Sequence, residues 1–299
     1  MTSPHTLTSG DAAQDAATPD APAQPTGPTL LMHLAGPLQS WGERSRFPSQ
    51  RDTGVTPTRS ALIGLFAAAL GRSRDDALTG RDPDTDGDLR TLSFLVRTDR
   101  PGTRLRDFHT VGGGLPRTET VVTAEGTYRK GANALVTTRH YLQDAAFTVA
   151  VTGTDTALLE RCDEALRRPR WPLYLGRRSC PPTGRVRLGL LPGPPMPYLL
   201  DLPLARPIPG RHVETVPVSF DADRPLRPML DQITLRTGEF NTTEVADDPQ
   251  SYATLDRRYL DRTRHHVVVH LPAARCGGQG TTYLGNAARY LTTTRGAAS

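Results

Sequence analysis

Lysine is almost absent from this 299-residue chain: Lys130 is the only one, so nearly all of the positive charge is arginine. Planar guanidinium forks suit phosphates and base faces, but GC-rich codon usage produces the same excess, so arginine number alone decides nothing. Cysteine is scarce too. Cys162, Cys180 and Cys276 are odd in number, far apart and outside any Cys-x-x-Cys pattern, which argues against a disulfide framework or a structural zinc site and fits a reducing compartment. No run approaches the roughly 18 apolar residues of a membrane span, and no basic segment followed by an apolar one opens the chain, so a cytoplasmic protein is expected. Only 36% of residues are hydrophobic, against 27 glycines and 27 prolines; long loops and turns are expected rather than a helix bundle.

What is present is basic. The net charge is +5 and the sequence pI about 9.4, a balance that favours an anionic partner such as nucleic acid. Residues 1–28 hold Asp11, Asp15 and Asp20 and no lysine or arginine, which leaves +8 on the remainder. That first stretch is Ala, Pro, Thr, Ser and Asp with little to bury, and it predicts a disordered extension.

Regular structure is expected from Thr29. "LLMHLAG" reads as a buried strand ended by Gly36-Pro37, and Thr56-Pro57 followed by Leu62, Ile63, Leu65, Phe66, Ala69 and Leu70 predicts a helix closed by Gly71. Strands follow at Leu92–Asp99 and Arg104–Val111, then a polar, glycine-containing stretch at about 112–138 that predicts a protruding hairpin. A strand over Arg139–Gly153 and an amphipathic helix over Thr154–Pro169 come next, with short β segments between Leu173 and Leu190. This order matches the split β-α-β plan: an α+β, ferredoxin-like or RRM-like palm with a hairpin thumb. A β-rich C-terminal part is expected at about 193–272, with strands "HVETVPVSF" and "RHHVVVHLP", and 273–299 is expected to be a flexible tail.

Catalytic signatures are missing: no Walker lysine loop, GxGxxG, HExxH or GxSxG occurs. Asp82, Asp84 and Asp86 have calcium-loop spacing, yet Ser93 stands where the loop's last glutamate belongs, so a solvated acidic loop is the better reading. Tyr128, Lys130 and His140 contain the groups for acid/base ribonuclease chemistry. The competing reading puts His109 and His140 on the arms of the hairpin and Tyr128 and Lys130 near its tip, touching phosphate or base. In "LYLGRRSCPP" the adjacent Arg177 and Arg178 face opposite ways on an extended segment, one toward solvent or RNA and one toward a partner.

The stretches "LAGPLQSWG", "PTRSALIGLFAAALGRSRDD", "LRDFHTV", "RHYLQDAAFTVAV" and "PLYLGRRSCP", in this order between Leu34 and Pro181, resemble the Cas5 family of CRISPR-associated proteins, in its type I-E subgroup. The first 28 residues and the Asp221–Arg257 stretch look like additions. The resemblance implies a non-catalytic subunit of the Cascade surveillance complex in antiviral defence. Such a subunit grips the 5′ handle of CRISPR RNA, abuts the Cas7 backbone and the large Cas8e subunit, and meets target DNA only through the complex; no metal or cofactor is implied. Arg44, Arg46, Arg51 and Arg59 would then neutralise handle phosphates, and the N–H groups near Thr58 to Ala61, with Ser60, would receive another. Trp41 would either stack a splayed base or pack beside Pro37. His109, Arg117, Arg129 and Lys130 of the hairpin, with Arg177 and Arg178, would complete the RNA contacts. Because some Cas5 relatives cleave repeat RNA, an endoribonuclease using Tyr128, Lys130 and His140 is the alternative.

Overall fold

The computed structural model describes residues 27–43, 49–82, 86–114, 116–119, 122, 126–128, 134–231 and 233–297. In chain order it forms β1 (Thr29–Ala35), two short strands β2 (Leu38–Gln39) and β3 (Gln50–Arg51), helix α1 (Arg59–Leu70), β4 (Ser93–Arg100) and β5 (Thr103–Val111). Then come β6 (Leu135–Gln143), β7 (Ala146–Thr152), α2 (Thr156–Arg167), β8 (Arg187–Leu191) and α3 (Pro195–Asp201). The C-terminal part is β9 (Thr215–Ala222), α4 (Arg227–Leu230), β10 (Asn241–Ser251), β11 (Arg258–Pro272) and α5 (Gly280–Ala297).

Seven strands form the palm sheet in the order β10-β11-β9-β4-β7-β1-β8. Its β1-α1-β4-β7-α2-β8 portion has the ferredoxin-like strand order, with every neighbour antiparallel. Alternation along the strands divides two cores. Leu30, Met32, Leu34, Phe94, Val96, Phe147 and Val149 point to the side covered by α1 and α2. Leu31, Leu95 and Ala150 point to the other side, under Met196 and Leu199 of α3 and Tyr283, Ala287 and Leu291 of α5. The sheet face that an RRM offers to bases is therefore buried here, and nucleic acid has to meet the helical side or the hairpin.

The back face holds a polar knot beneath α3. Arg97 and Asp99 are both fully buried and paired at 2.6 Å. The guanidinium also donates to the carbonyls of Leu199, Leu202 and Pro203, and the carboxylate accepts from Thr148 Oγ1 and the Ala205 N–H. A buried pair of this kind holds because the guanidinium nitrogens and both carboxylate oxygens have partners.

Several boundaries differ from expectation. Helix α1 is capped by Thr58, not Thr56: Thr58 Oγ1 accepts from the Ala61 N–H, and Gly71 closes the helix at φ 74°. The Arg139–Gly153 stretch is two strands, broken at Asp144, which takes φ 57°. The Arg104–Val111 strand is not in the palm sheet. It is the first arm of the hairpin, pairing with β6 from Thr103↔Gln143 to Val111↔Leu135, and its mostly exposed side chains explain why it does not join a core. β2 and β3 flank β6 in the same small sheet. The flexible tail expected from 273 is instead the helix α5, held on the sheet by Tyr283, Ala287 and Leu291 at four-residue spacing. The Asp221–Arg257 stretch contributes strand β10 at the sheet edge.

Candidate nucleic-acid interface

A groove of about 960 Å³ runs along the outer side of α1. Its floor is made of small residues, Ser60, Ala61, Gly64 and Ala68, which admit a flat group close to the helix backbone. One wall is the segment Trp171–Tyr174, fastened to the end of α1 by the Arg170 N–H to Ala69 O bond (2.8 Å) and the Trp171 N–H to Ala68 O bond (3.3 Å). The other wall comes from the end of β10 and the start of β11: Tyr252, Arg257 and Tyr259. Tyr252 donates its hydroxyl to Ser60 O and stands edge-on to Tyr259, ring centres 6.3 Å apart.

Aromatic faces and unneutralised cations meet in this groove. Trp171, Tyr174 and Tyr259 remain 44%, 36% and 39% exposed. Arg74, Arg178 and Arg257 line it without a carboxylate partner among the described residues. Arg72 is different: it donates to the carbonyls of Leu78, Gly87 and Asp86 and so fixes the loop after α1. Exposed aromatics interleaved with free guanidiniums are the chemistry of a single-stranded nucleic-acid platform, bases stacking on rings and phosphates meeting cations.

The head of the groove is a brace between two sequence stretches far apart in the chain. Gly176, at φ 93°, lies so close to Ser40 that a Cβ there would stand 1.7 Å from Ser40 O, and a Cβ on Gly36 would stand 2.8 Å from Pro181 O. Ser40 N–H donates to Leu175 O at 3.0 Å. Arg177 donates to the carbonyls of His140, Arg51 and Asp52 while its guanidinium lies 4.7 Å from the centre of the Tyr141 ring. It ties the hairpin's second arm to β3, whereas its neighbour Arg178 turns outward into the groove.

A family model described as CRISPR-associated protein (Cas_Cas5) matches residues 29–265. The chain belongs to the Cas5 family of CRISPR-associated proteins. Over 176 residues this Cas5 is 40% identical to the CRISPR system Cascade subunit CasD of Escherichia coli (strain K12), covering 54% of this chain and 70% of that one. This agrees with the type I-E character of its motifs. Among solved structures it resembles a chain of a CRISPR RNA-guided surveillance complex, at 38% identity and a TM-score of 0.70 over 88% of this chain and 99% of that one. A second, described as a crystal structure of Cas protein, aligns at 32% identity and a TM-score of 0.52, over 84% of this chain and 98% of that one.

Within this Cas5, Trp41, read either as a stacking ring or as a packing residue, and Arg59, expected to meet a handle phosphate, are both internal. Trp41 is fully buried: its indole N–H donates to Gln39 Oε1 at 3.1 Å and its ring meets Phe147 edge-on, so it packs the core and offers no face for stacking. Arg59 is a strut. Its guanidinium pairs with Asp223 (2.6 Å) and Asp248 (2.8 Å) and donates to the carbonyls of Leu92 and Arg90. The α1 N-terminus is likewise occupied, because Asp247 Oδ2 accepts the Arg59 N–H at 2.7 Å; Asp247 is held in turn by Arg262. Burial pushes the Asp223 carboxyl upward, against the pull of Arg59 and Arg262.

Ser60 and Arg178 line the groove, and Arg51 lies in β3 beside the Arg177 brace. His109 is on the hairpin's first arm, its Nε2 against Asp107. Arg117 lies in a turn of 3-10 helix beyond that arm. Arg44, Arg46, Arg129 and Lys130 lie outside the described residues. Tyr128 pairs with Val122 past the last arm pair, whereas His140 lies five residues, about 16 Å, down β6 from that pair. His140 faces Asp52 at 3.8 Å, and no contact between Tyr128 and His140 occurs among the described residues. Nor does any group of three or more potential metal ligands; the Asp86 carboxylate accepts the N–H groups of Arg81 and Asp82. No helix of the described residues is long and apolar enough to cross a membrane.

The groove's own residues Arg74, Trp171, Tyr174, Arg257 and Tyr259 carried no site assignment from sequence. Their signal was the alternation of arginine with aromatics in "RRPRWPLYL" and "RRYL".

Proposed function

We propose that this Cas5 is a non-catalytic subunit of a Cascade-type surveillance complex that holds the 5′ handle of CRISPR RNA and abuts the Cas7 backbone and the Cas8e subunit. The observation that carries the reading is the groove beside α1. Two of the motif stretches that mark the family, around Ser40 and Gly176, build its head, and exposed rings and free arginines line its length. Unpaired nucleotides lie in it with bases on Trp171, Tyr174 or Tyr259 and phosphates on Arg74, Arg178 and Arg257. Arg51 of β3 and His109 and Arg117 of the hairpin would add contacts to the backbone, as would Arg44, Arg46, Arg129 and Lys130, which lie outside the described residues.

The test is the salt dependence of binding to a single-stranded handle RNA. Each phosphate contact adds about 0.7 to the magnitude of the log-affinity against log-salt slope. Arg178→Ala is expected to lower the slope by that amount with no change in thermal stability, and an unchanged slope would remove the groove from the interface. Incubation with labelled repeat RNA, with and without divalent metal, is expected to leave it intact. Specific cleavage lost in His140→Ala would instead establish the endoribonuclease.

A further inference from the structure

A second cavity, of about 490 Å³, lies across the sheet from the α1 groove. Alternation along β1 sets the side: Leu30, Met32 and Leu34 point toward α1 and α2, so Leu31 and His33 point toward α5. There the His33 ring meets that of Tyr283, centres 4.5 Å apart. Both residues line the cavity, together with Pro37, Arg100 at the end of β4, and Gly280, Thr281 and Leu284 at the start of α5.

Three groups in this wall suit a phosphorylated ligand. The 18-residue helix α5 begins without a capping side chain, and the N–H groups of Gly280 and Thr281 have no acceptor among the described residues. A Cβ on Gly280 would meet nothing within 4 Å, so this end of the helix is open. Helix N-termini of this kind bind phosphates. Arg100 uses three of its five N–H groups on Asp144 and Ala205, which leaves two. Asp144 itself is 66% exposed, so water screens its charge. His33 is 7% exposed, and its Nδ1 has no hydrogen-bond partner among the described residues, a state that costs stability until a partner arrives. Burial lowers this imidazole to about 4, so at neutral pH it is an uncharged hydrogen-bonding group. The rest of the lining, with Pro37, Ala205, Leu284 and the Tyr283 ring, is largely apolar. A lone anion would fill little of this volume, whereas cavities of about 300–1,000 Å³ with apolar walls and a few polar groups hold small organic ligands.

We propose that this cavity binds a nucleoside 5′-monophosphate. The phosphate sits on the first N–H groups of α5 and on the remaining N–H groups of Arg100, the flat base lies along the apolar lining, and a ribose hydroxyl supplies the partner that His33 lacks. The site is separate from the α1 groove and does not rest on the RNA reading of that groove.

The experiment is calorimetric titration of the full chain with AMP, adenosine and inorganic phosphate. AMP is expected to bind, and adenosine and phosphate each to bind at least about ten-fold more weakly, since each lacks one half of the contacts. Thr281→Asp puts a carboxylate at the α5 N-terminus, where it favours the helix and repels the phosphate. This variant is expected to weaken AMP about ten-fold without lowering Tm. By NMR, the His33 ring resonance, assigned by its absence from His33→Phe, is expected to move with AMP at the calorimetric affinity. Absence of AMP binding overturns the proposal, as does a His33 resonance that stays in place. AMP binding that survives Thr281→Asp but is lost in Trp171→Ala moves the ligand to the α1 groove and overturns it too. Phosphate binding as tightly as AMP leaves only an anion site and overturns the nucleotide assignment. A 5′-phosphorylated RNA trinucleotide that binds about ten-fold more tightly than AMP overturns the free nucleotide in favour of an RNA end.

Discussion

Arg59→Ala separates a structural arginine from an RNA-binding one. The side chain is 9% exposed, pairs with two carboxylates and satisfies the carbonyls of Leu92 and Arg90. Truncation leaves Asp223, 12% exposed, with only Arg262 opposite, and strands the two carbonyls. Removing one partner of a buried pair costs about 3–5 kcal/mol. For a domain of this size each kcal/mol lowers Tm by about 2–4 °C, so the expected fall is roughly 6–20 °C. Pairing the change with Asp223→Leu, as Arg59→Met/Asp223→Leu, is expected to recover part of the loss, because the more buried of the two orphaned carboxylates is then gone. The salt slope of RNA binding, measured below the lowered Tm, should match that of the parent. A Tm within a degree of the parent, or a slope smaller by about 0.7, would refute the assignment of Arg59 as a strut.

Gly176→Ala forces a Cβ against Ser40 O at a left-handed φ and is expected to cost at least 2–3 kcal/mol and weaken RNA binding. Gly184→Ala, at φ 103° in open space, should cost about 1 kcal/mol, and thermal melts of the two compare them. Burial lowers the His33 imidazole to about 4, so the unfolded chain takes up a proton that the folded chain refuses. Stability is then full above about pH 6.5 and falls by about 1.4 kcal/mol per unit down to about pH 4, roughly 3 kcal/mol in all. Urea midpoints at pH 7 and pH 5 should show a shallower loss in His33→Phe; parallel losses would contradict this. Replacing residues 116–133 with a short Gly-Ser turn is expected to leave circular dichroism unchanged and to abolish co-purification with Cas7, Cas8e and CRISPR RNA. Lost folding would make the segment core, and intact assembly would make it idle.

The palm was legible because its strands and two helices carry their own periodicity and punctuation, as in "LLMHLAG" and the apolar stripe of α1. What escaped was fixed by distant residues. Nothing near Thr56 says that Asp247 accepts the first N–H of α1, and nothing near Arg59 says that Asp223 and Asp248 neutralise it. Trp41 could be read as stacking or as packing because its setting is polar in sequence, and its partners Gln39 and Phe147 decide for packing. β10 is an edge strand whose "TTEVADDPQ" has little apolar alternation, and α5 hides Tyr283, Ala287 and Leu291 among threonine and glycine. The groove was invisible as a unit because its walls are some 80 residues apart in the chain and its floor consists of residues chosen for smallness.

The carboxylate that accepts the first N–H of α1, Asp247, comes from 188 residues further along the chain, and the second wall of the groove lies at Tyr252–Tyr259. A nascent chain therefore finishes β1, α1 and the first wall well before it owns a binding groove. At 5–20 residues per second the roughly 80 residues between the two walls take about 4–16 s, and the 188 between Arg59 and Asp247 about 10–40 s, during which the first turn of α1 lacks its carboxylate. The groove is complete only with the last strands, so, on the RNA-binding reading proposed above, a half-made or prematurely terminated chain has no assembled groove with which to sequester a transcript.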